Sequence, residues 1–196
     1  MTQTPLRSQF KLDQRIVLND RTWEQFKHVQ KGFENSSGVR LFYFDRTIEI
    51  LMPGRDHEFF SRFIGYLVMT FLFEKGIRCI PTGSMTQEKE GISSVQADES
   101  YCIGCPKAIP DLAIEIVFTS GGESKLSRYQ ALEVPEVWFW EDGVFALHHR
   151  STSGYERVDR SQLPNLQDLN IALLTRCVLI AETDELAALE EFRKHK

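Results

Sequence analysis

The stretch IPDLAIEIVFTS, Ile109–Ser120, sets carboxylates into a segment otherwise suited to a dry interior. Leu112, Ala113, Ile114, Ile116, Val117 and Phe118 are apolar, Glu115 lies among them, and Asp111 precedes them. An ionised carboxylate is costly to bury unless it is paired. Glu115 therefore needs a positive partner, which is either an arginine or lysine serving the structure or a metal ion serving chemistry. Asp111 cannot share an ion with it. Four residues apart on a strand, the two face the same side but stand about 13 Å apart, whereas hard divalent ions hold oxygen ligands at about 2.0–2.6 Å. A second ligand must come from another strand. A turn centred between Pro106 and Lys107 in the preceding hairpin places Asp98 directly opposite Glu115, with Cβ atoms about 4.5–5.5 Å apart. Two carboxylates at that distance repel unless one is protonated or a cation lies between them. Mg²⁺ (or Mn²⁺) satisfies that need, because it takes one or two carboxylates and keeps several waters.

The surrounding pattern supplies the elements that would hold this pair. Thr22 and Gln25 form a capping box, which predicts a helix from Trp23 to about Lys31. VRLFYFDRTIEILMP reads as a hairpin turning at Asp45–Arg46 and ended by Pro53–Gly54. In DHEFFSRFIGYLVMTFLFEKG, Phe60, Ile64 and Leu67 follow helical spacing, with Asp56 as the expected N-cap, Gly76 as the stop and cover expected on several faces. IRCIPTG, ISSVQADESYCIG and PDLAIEIVF read as three strands. GGESKLSRYQALEV predicts a helix beginning after the glycines, and EVWFWEDGVFALHHR a hairpin turning at Asp142–Gly143. The last helix, over about 183–196, carries acids first and bases last, as the helix dipole favours. The order implies an α/β (α+β) fold, a mixed β-sheet flanked by α-helices, in a single domain over 1–196 with its core at about 23–174.

With 196 residues, 42% hydrophobic and 26% charged, the chain is long enough for one substantial core. No run approaches the length of a membrane span, and the polar N-terminus lacks the apolar heart of a signal peptide, so a cytoplasmic location without membrane association is expected. A net charge of −5 excludes coating of nucleic acid by bulk positive charge, though not a local basic groove. Cys102 and Cys105 form a CxxC, but a structural zinc site needs four ligands and no second close pair follows, so free thiols are expected.

DRTIEILMPGRDHE, PTGSMT, ADESYCI, PDLAIEIVFTS and KLSRYQALEVPEVWFWEDG, in this order and spacing, resemble the Uma2 family of restriction-endonuclease-like proteins over about Trp23 to Leu174. That resemblance implies a PD-(D/E)XK nuclease-like fold in which acids on two adjacent strands bind Mg²⁺. Asp98 would take the aspartate position and Glu115 the (D/E) position. Three departures stand out. Ala97 replaces a proline that shapes only the start of the strand. Val117 occupies the place of the usual lysine, on the same side as Glu115. GGES stands where relatives often have serines. Lys125 matches a lysine of the following helix and would act as a displaced catalytic lysine.

The resemblance also singles out Glu58 as a third carboxylate and Glu49 as a supporting acid. Helix-end charge for Glu58, and a surface strand position for Glu49, explain them equally well. His57 is expected at the surface near the helix start, and Asp111 is expected to orient the site or to hold the start of its strand. Arg128, one turn from Lys125, would meet a phosphate or water. Trp138, Phe139 and Trp140 read as sheet packing, and His148 and His149 face opposite sides and cannot share a metal. Together these readings imply a Mg²⁺-dependent endonuclease acting on DNA, with a homodimer expected because cutting both strands needs two sites. The alternative is a decayed nuclease-like scaffold that binds nucleic acid or protein, to which Val117 and the acidic charge point.

Overall fold

The computed structural model describes residues 12–83, 85–118 and 122–195. Its elements in chain order are β1 (Gln14–Leu18), α1 (Trp23–Gly32), β2 (Arg40–Phe44), β3 (Thr47–Met52), α2 (Arg55–Glu74), β4 (Cys79–Pro81), β5 (Gln87–Lys89), β6 (Ser93–Val95), β7 (Glu99–Ile103), β8 (Leu112–Val117), α3 (Leu126–Leu132), β9 (Glu136–Glu141), β10 (Val144–Ser151), β11 (Gly154–Val158), α4 (Ile171–Ala181) and α5 (Glu185–His195). A 3₁₀ turn, Gly122–Lys125, leads into α3. The strands form two sheets, ordered β1-β3-β2-β6-β5 and β11-β10-β9-β8-β7-β4. The larger is mixed: β8 and β9 run parallel and its other pairs antiparallel.

Strand alternation divides the interior. Leu112, Ile114 and Ile116 of β8 face a cluster built with α2, α4 and Phe192 of α5. Ala113 and Val117 face the opposite way, into a cluster with Phe42, Leu51, Val95 and Tyr129. The smaller sheet and α3 therefore cover one side of the larger sheet, and α2, α4 and α5 the other. Leu41, Tyr43, Ile48 and Ile50 point away from this seam and pack on Phe26 of α1. Arg40 and Glu49 consequently point into the seam, as period-two alternation requires. A charged residue on each inner-facing strand is what brings the smaller sheet into the site.

Several expectations hold locally. The capping box of Thr22 and Gln25 is formed at α1. Asp45 and Arg46 both have positive φ, as do Asp142 and Gly143, the signature of tight two-residue hairpin turns. The four cysteines are free thiols. Trp138, Phe139 and Trp140 are buried in β9.

Other expectations need correction. Gly54, not Asp56, is the N-cap of α2. That helix is covered on one side, with Arg62, Tyr66 and Phe73 exposed along its outer face. The segment read as one strand over 92–104 breaks at Gln96–Asp98, giving β6 to the smaller sheet and β7 to the larger. The Gln96 side chain occupies the break, accepting from the Leu41 backbone N–H at 2.6 Å. β1, β5, β11 and α4 were not anticipated. α4, IALLTRCVLIA, is apolar nearly all round, so its periodicity does not separate helix from buried strand.

Candidate active site

The break between β6 and β7 delivers Asp98 to the seam. Glu99 pairs with Ile114 and Ser100 with Ala113, so the register carried one residue further sets Asp98 opposite Glu115, as the hairpin reading expected. Asp98 has left the ladder, and its carboxylate takes over part of the strand pairing: Oδ2 accepts from the Ile116 backbone N–H at 2.6 Å. Both acids are almost fully buried, with Asp98 4% and Glu115 1% exposed.

Each acid has its own protein partners. Asp98 Oδ1 contacts the Arg40 guanidinium and lies 2.9 Å from His57 Nε2. Glu115 Oε1 accepts a short hydrogen bond from the Tyr129 hydroxyl, and Oε2 accepts from Lys125 Nζ at 2.9 Å. The Tyr129 phenol is held well above its ordinary pKa, first by burial and then by the Glu115 charge. It remains a neutral donor to Glu115 across the working pH range.

The network extends on both sides. His57 Nδ1 lies 2.8 Å from Asp13 Oδ2, and Asp13 Oδ1 accepts from the Gly54 N–H at 2.6 Å, tying the chain before β1 to the start of α2. Burial raises the Asp13 pKa, but hydrogen bonds from His57 and Gly54 and the nearby positive charges outweigh it and leave it lowered. A cleft of about 240 Å³ lined by Asp13, Asp56, His57 and Phe118 adjoins this arm. Arg40 Nη2 donates to Glu58 Oε1 at 2.7 Å. On the other flank, Glu49 accepts from Arg15 Nε at 2.7 Å and from Arg128 Nη2 at 2.6 Å. A band of alternating charge thus crosses the seam, which is the condition under which so many ionised groups can be buried.

The predicted site residues are distributed as follows. Asp98, Glu58 and His57 meet around Arg40, Glu115 and Lys125 form a second cluster with Tyr129, and Glu49 is held by Arg128 of α3. The surface readings for His57 and Glu49 are overturned, since they are only 1% and 2% exposed. His57 turns inward because it lies three and seven residues before Phe60 and Ile64, on the same buried face of α2. Glu58 keeps its outward phase, its side chain 43% exposed. Asp111 stands apart at the start of β8, where it accepts from the Ile103 N–H at 2.7 Å and pairs with Lys107. Val117 is packed in the core, so no polar group stands two residues beyond Glu115. Lys125 makes that approach instead, from the turn before α3.

Sequence reasoning missed Arg40, Asp13 and Tyr129. Two of them left a signal. Arg40 shares the inward face of VRLFYF with Phe42, and Tyr129 lies four residues after Lys125 on the same side of α3.

Among the described residues no three His, Cys, Asp or Glu side chains are grouped as a metal cage. The cluster does offer two hard carboxylates, Glu115 on β8 and Asp98 just before β7. That donor set matches Mg²⁺, which is commonly held by one or two carboxylates with water completing its shell.

Comparisons with known proteins bear on the fold and the family. A crystal structure described as a "putative nuclease belonging to DUF820", from Anabaena variabilis ATCC 29413, superposes with a TM-score of 0.56 at 14% identity, covering 80% of this chain and 98% of that one. At that identity the likeness is one of fold. Curated proteins give no match. Among the described residues no helix is long and apolar enough to cross a membrane. The Uma2 family profile, described as "Putative restriction endonuclease", matches residues 23–178, and the chain belongs to that family.

Proposed function

We propose that this protein is a Mg²⁺-dependent endonuclease hydrolysing DNA phosphodiester bonds. One observation carries the reading: Asp98 and Glu115 are both buried and stand opposite each other at the end of the β7–β8 pairing, with Lys125 delivered to Glu115 from the turn before α3. Asp98 and Glu115 would hold the ion, and Glu58 would reach it from the exposed start of α2. Bound there, Mg²⁺ would polarise the scissile phosphate and lower the pKa of a coordinated water. Tyr129 and the Ile116 N–H fix the two carboxylates in place, so little reorganisation is needed at the moment of reaction. Lys125 sits beside Glu115 and would place its ammonium next to the charge that develops on the phosphate. DNA incubated with the protein and Mg²⁺ or Mn²⁺ should be cut. Asp98→Ala and Glu115→Ala should each abolish cleavage while the variants remain folded.

A second reading is favoured by two specific observations. Val117 leaves no polar group at the position two after Glu115, and both acids already hold protein cations. A scaffold whose chemistry has decayed would look the same and would bind nucleic acid or protein without cutting. Calorimetric titration with Mn²⁺ separates the two, because such a scaffold gives no saturable heat.

A further inference from the structure

Arg40 is the cation shared by Asp98 and Glu58, two of the three carboxylates assigned above to a metal ion. It projects from the inner face of β2 and is only 7% exposed. Nη1 contacts Asp98 Oδ1 and lies 3.0 Å from His57 Nε2. Nη2 donates to Glu58 Oε1 at 2.7 Å. The charges of Glu115 and Glu99 also bear on it. A buried guanidinium stays charged and needs counter-charges, which Asp98 and Glu58 supply. The relation is mutual, since without Arg40 the buried Asp98 would depend on His57 and one backbone N–H.

A guanidinium against Asp98 Oδ1 stands where a hard ion would have to reach that oxygen. It also places a positive charge where a second cation would have to approach, in a region of weak screening. We propose that Arg40 is the resident counter-ion of this site and competes with the divalent cation for Asp98. Metal binding is then an exchange in which the guanidinium releases Asp98. The inference rests on the metal reading above and adds to it a direction. The geometry provides a way out for the side chain: Glu58, its second partner, is 43% exposed, so Arg40 can swing toward the surface while keeping one ion pair. Released there, it faces the side from which a phosphate would come. An arginine that merely props up the carboxylates has the opposite consequence, because its loss would disorder the ligands and weaken binding.

Mn²⁺ titration calorimetry on the full chain decides the sign. Arg40→Met should bind Mn²⁺ about tenfold more tightly than wild type, or better. Arg40→Lys keeps the charge but loses the two-pronged grip, and should shift in the same direction by a smaller factor. The Mn²⁺-induced rise in melting temperature should follow the same order, and Arg40→Lys carries the test if Arg40→Met does not fold. Equal or weaker binding by the Arg40 variants, alongside a wild type that binds and a Glu115→Gln variant that does not, overturns the counter-ion role and leaves the metal site standing. Absence of saturable binding in wild type and both Arg40 variants overturns the metal reading and this inference together.

Discussion

The pair formed by Glu115 and Lys125 offers the sharpest test of how the seam is held together. Glu115 is 1% exposed, and its partner ammonium, 2.9 Å away, sits on a side chain 13% exposed. Two unit charges about 4 Å apart attract by about 4 kcal/mol at an effective dielectric of 20, and most of that offsets the desolvation of both groups. Removing one partner of a buried pair costs about 3–5 kcal/mol, because the other is left charged and dry. Glu115→Gln should sit near the low end, about 3 kcal/mol, since Lys125 retains some access to water and the Gln carbonyl still accepts from Tyr129. Lys125→Met should cost about as much, for it leaves a buried carboxylate with Tyr129 alone. The double variant has no stranded charge and keeps the Tyr129 hydrogen bond. It should lose only about 3 kcal/mol in all, a coupling of about 2–3 kcal/mol. Urea unfolding in metal-free buffer with EDTA, at matched m-values, measures each corner. Strict additivity, within about 0.5 kcal/mol, would refute the ion pair as the element that compensates burial here.

Other perturbations separate the parts of the network. Burial raises the Glu49 pKa, but the Arg128 charge and the hydrogen bonds from Arg15 and Arg128 outweigh it and hold it below the usual range. Its contribution is therefore fully present above about pH 4.5 and lost as pH falls through the lowered value, so Glu49→Gln should flatten the acid limb of a stability–pH profile. Glu99 is the reverse: burial holds it above the usual range despite the Tyr101 hydrogen bond. Its cost is absent at low pH and grows as pH rises past about 4.3, so Glu99→Gln should be more stable than wild type at pH 7 and equal to it near pH 4. A Cβ on Gly65 would collide with the Tyr101 hydroxyl and crowd Glu99, so Gly65→Ala should cost about 1–3 kcal/mol in thermal or urea unfolding. Asp111→Asn, remote from the seam, should lose about 1 kcal/mol of stability and leave any cleavage rate unchanged.

Much of the site was legible because its determinants are local. The apolar run on both sides of it identified Glu115 as a buried carboxylate, and hairpin register paired it with Asp98. Short-range spacing put Lys125 at the head of the following helix. What escaped notice depends on contacts between distant segments. Arg40 lies 58 residues before Asp98 in the chain, and only the packing of the smaller sheet on the larger reveals that the two meet. The surface reading of His57 failed for a related reason: the helix starts two residues earlier than the Asp56 cap implied, and Asp13 supplies a partner from a segment with no periodic signal. The strand over 92–104 was read as continuous because Gln96 and Ala97 carry no turn residue. Its interruption is stabilised by a tertiary hydrogen bond to Leu41, not by local turn chemistry.

The account stands on a divalent ion bound between Asp98 and Glu115. Anomalous scattering from crystals soaked in Mn²⁺ measures that directly. The prediction is a peak within ligand distance of both carboxylates, with the Arg40 guanidinium withdrawn from Asp98. A structure at saturating Mn²⁺ in which Arg40 still grips Asp98, Lys125 still grips Glu115 and no peak lies between them would contradict it.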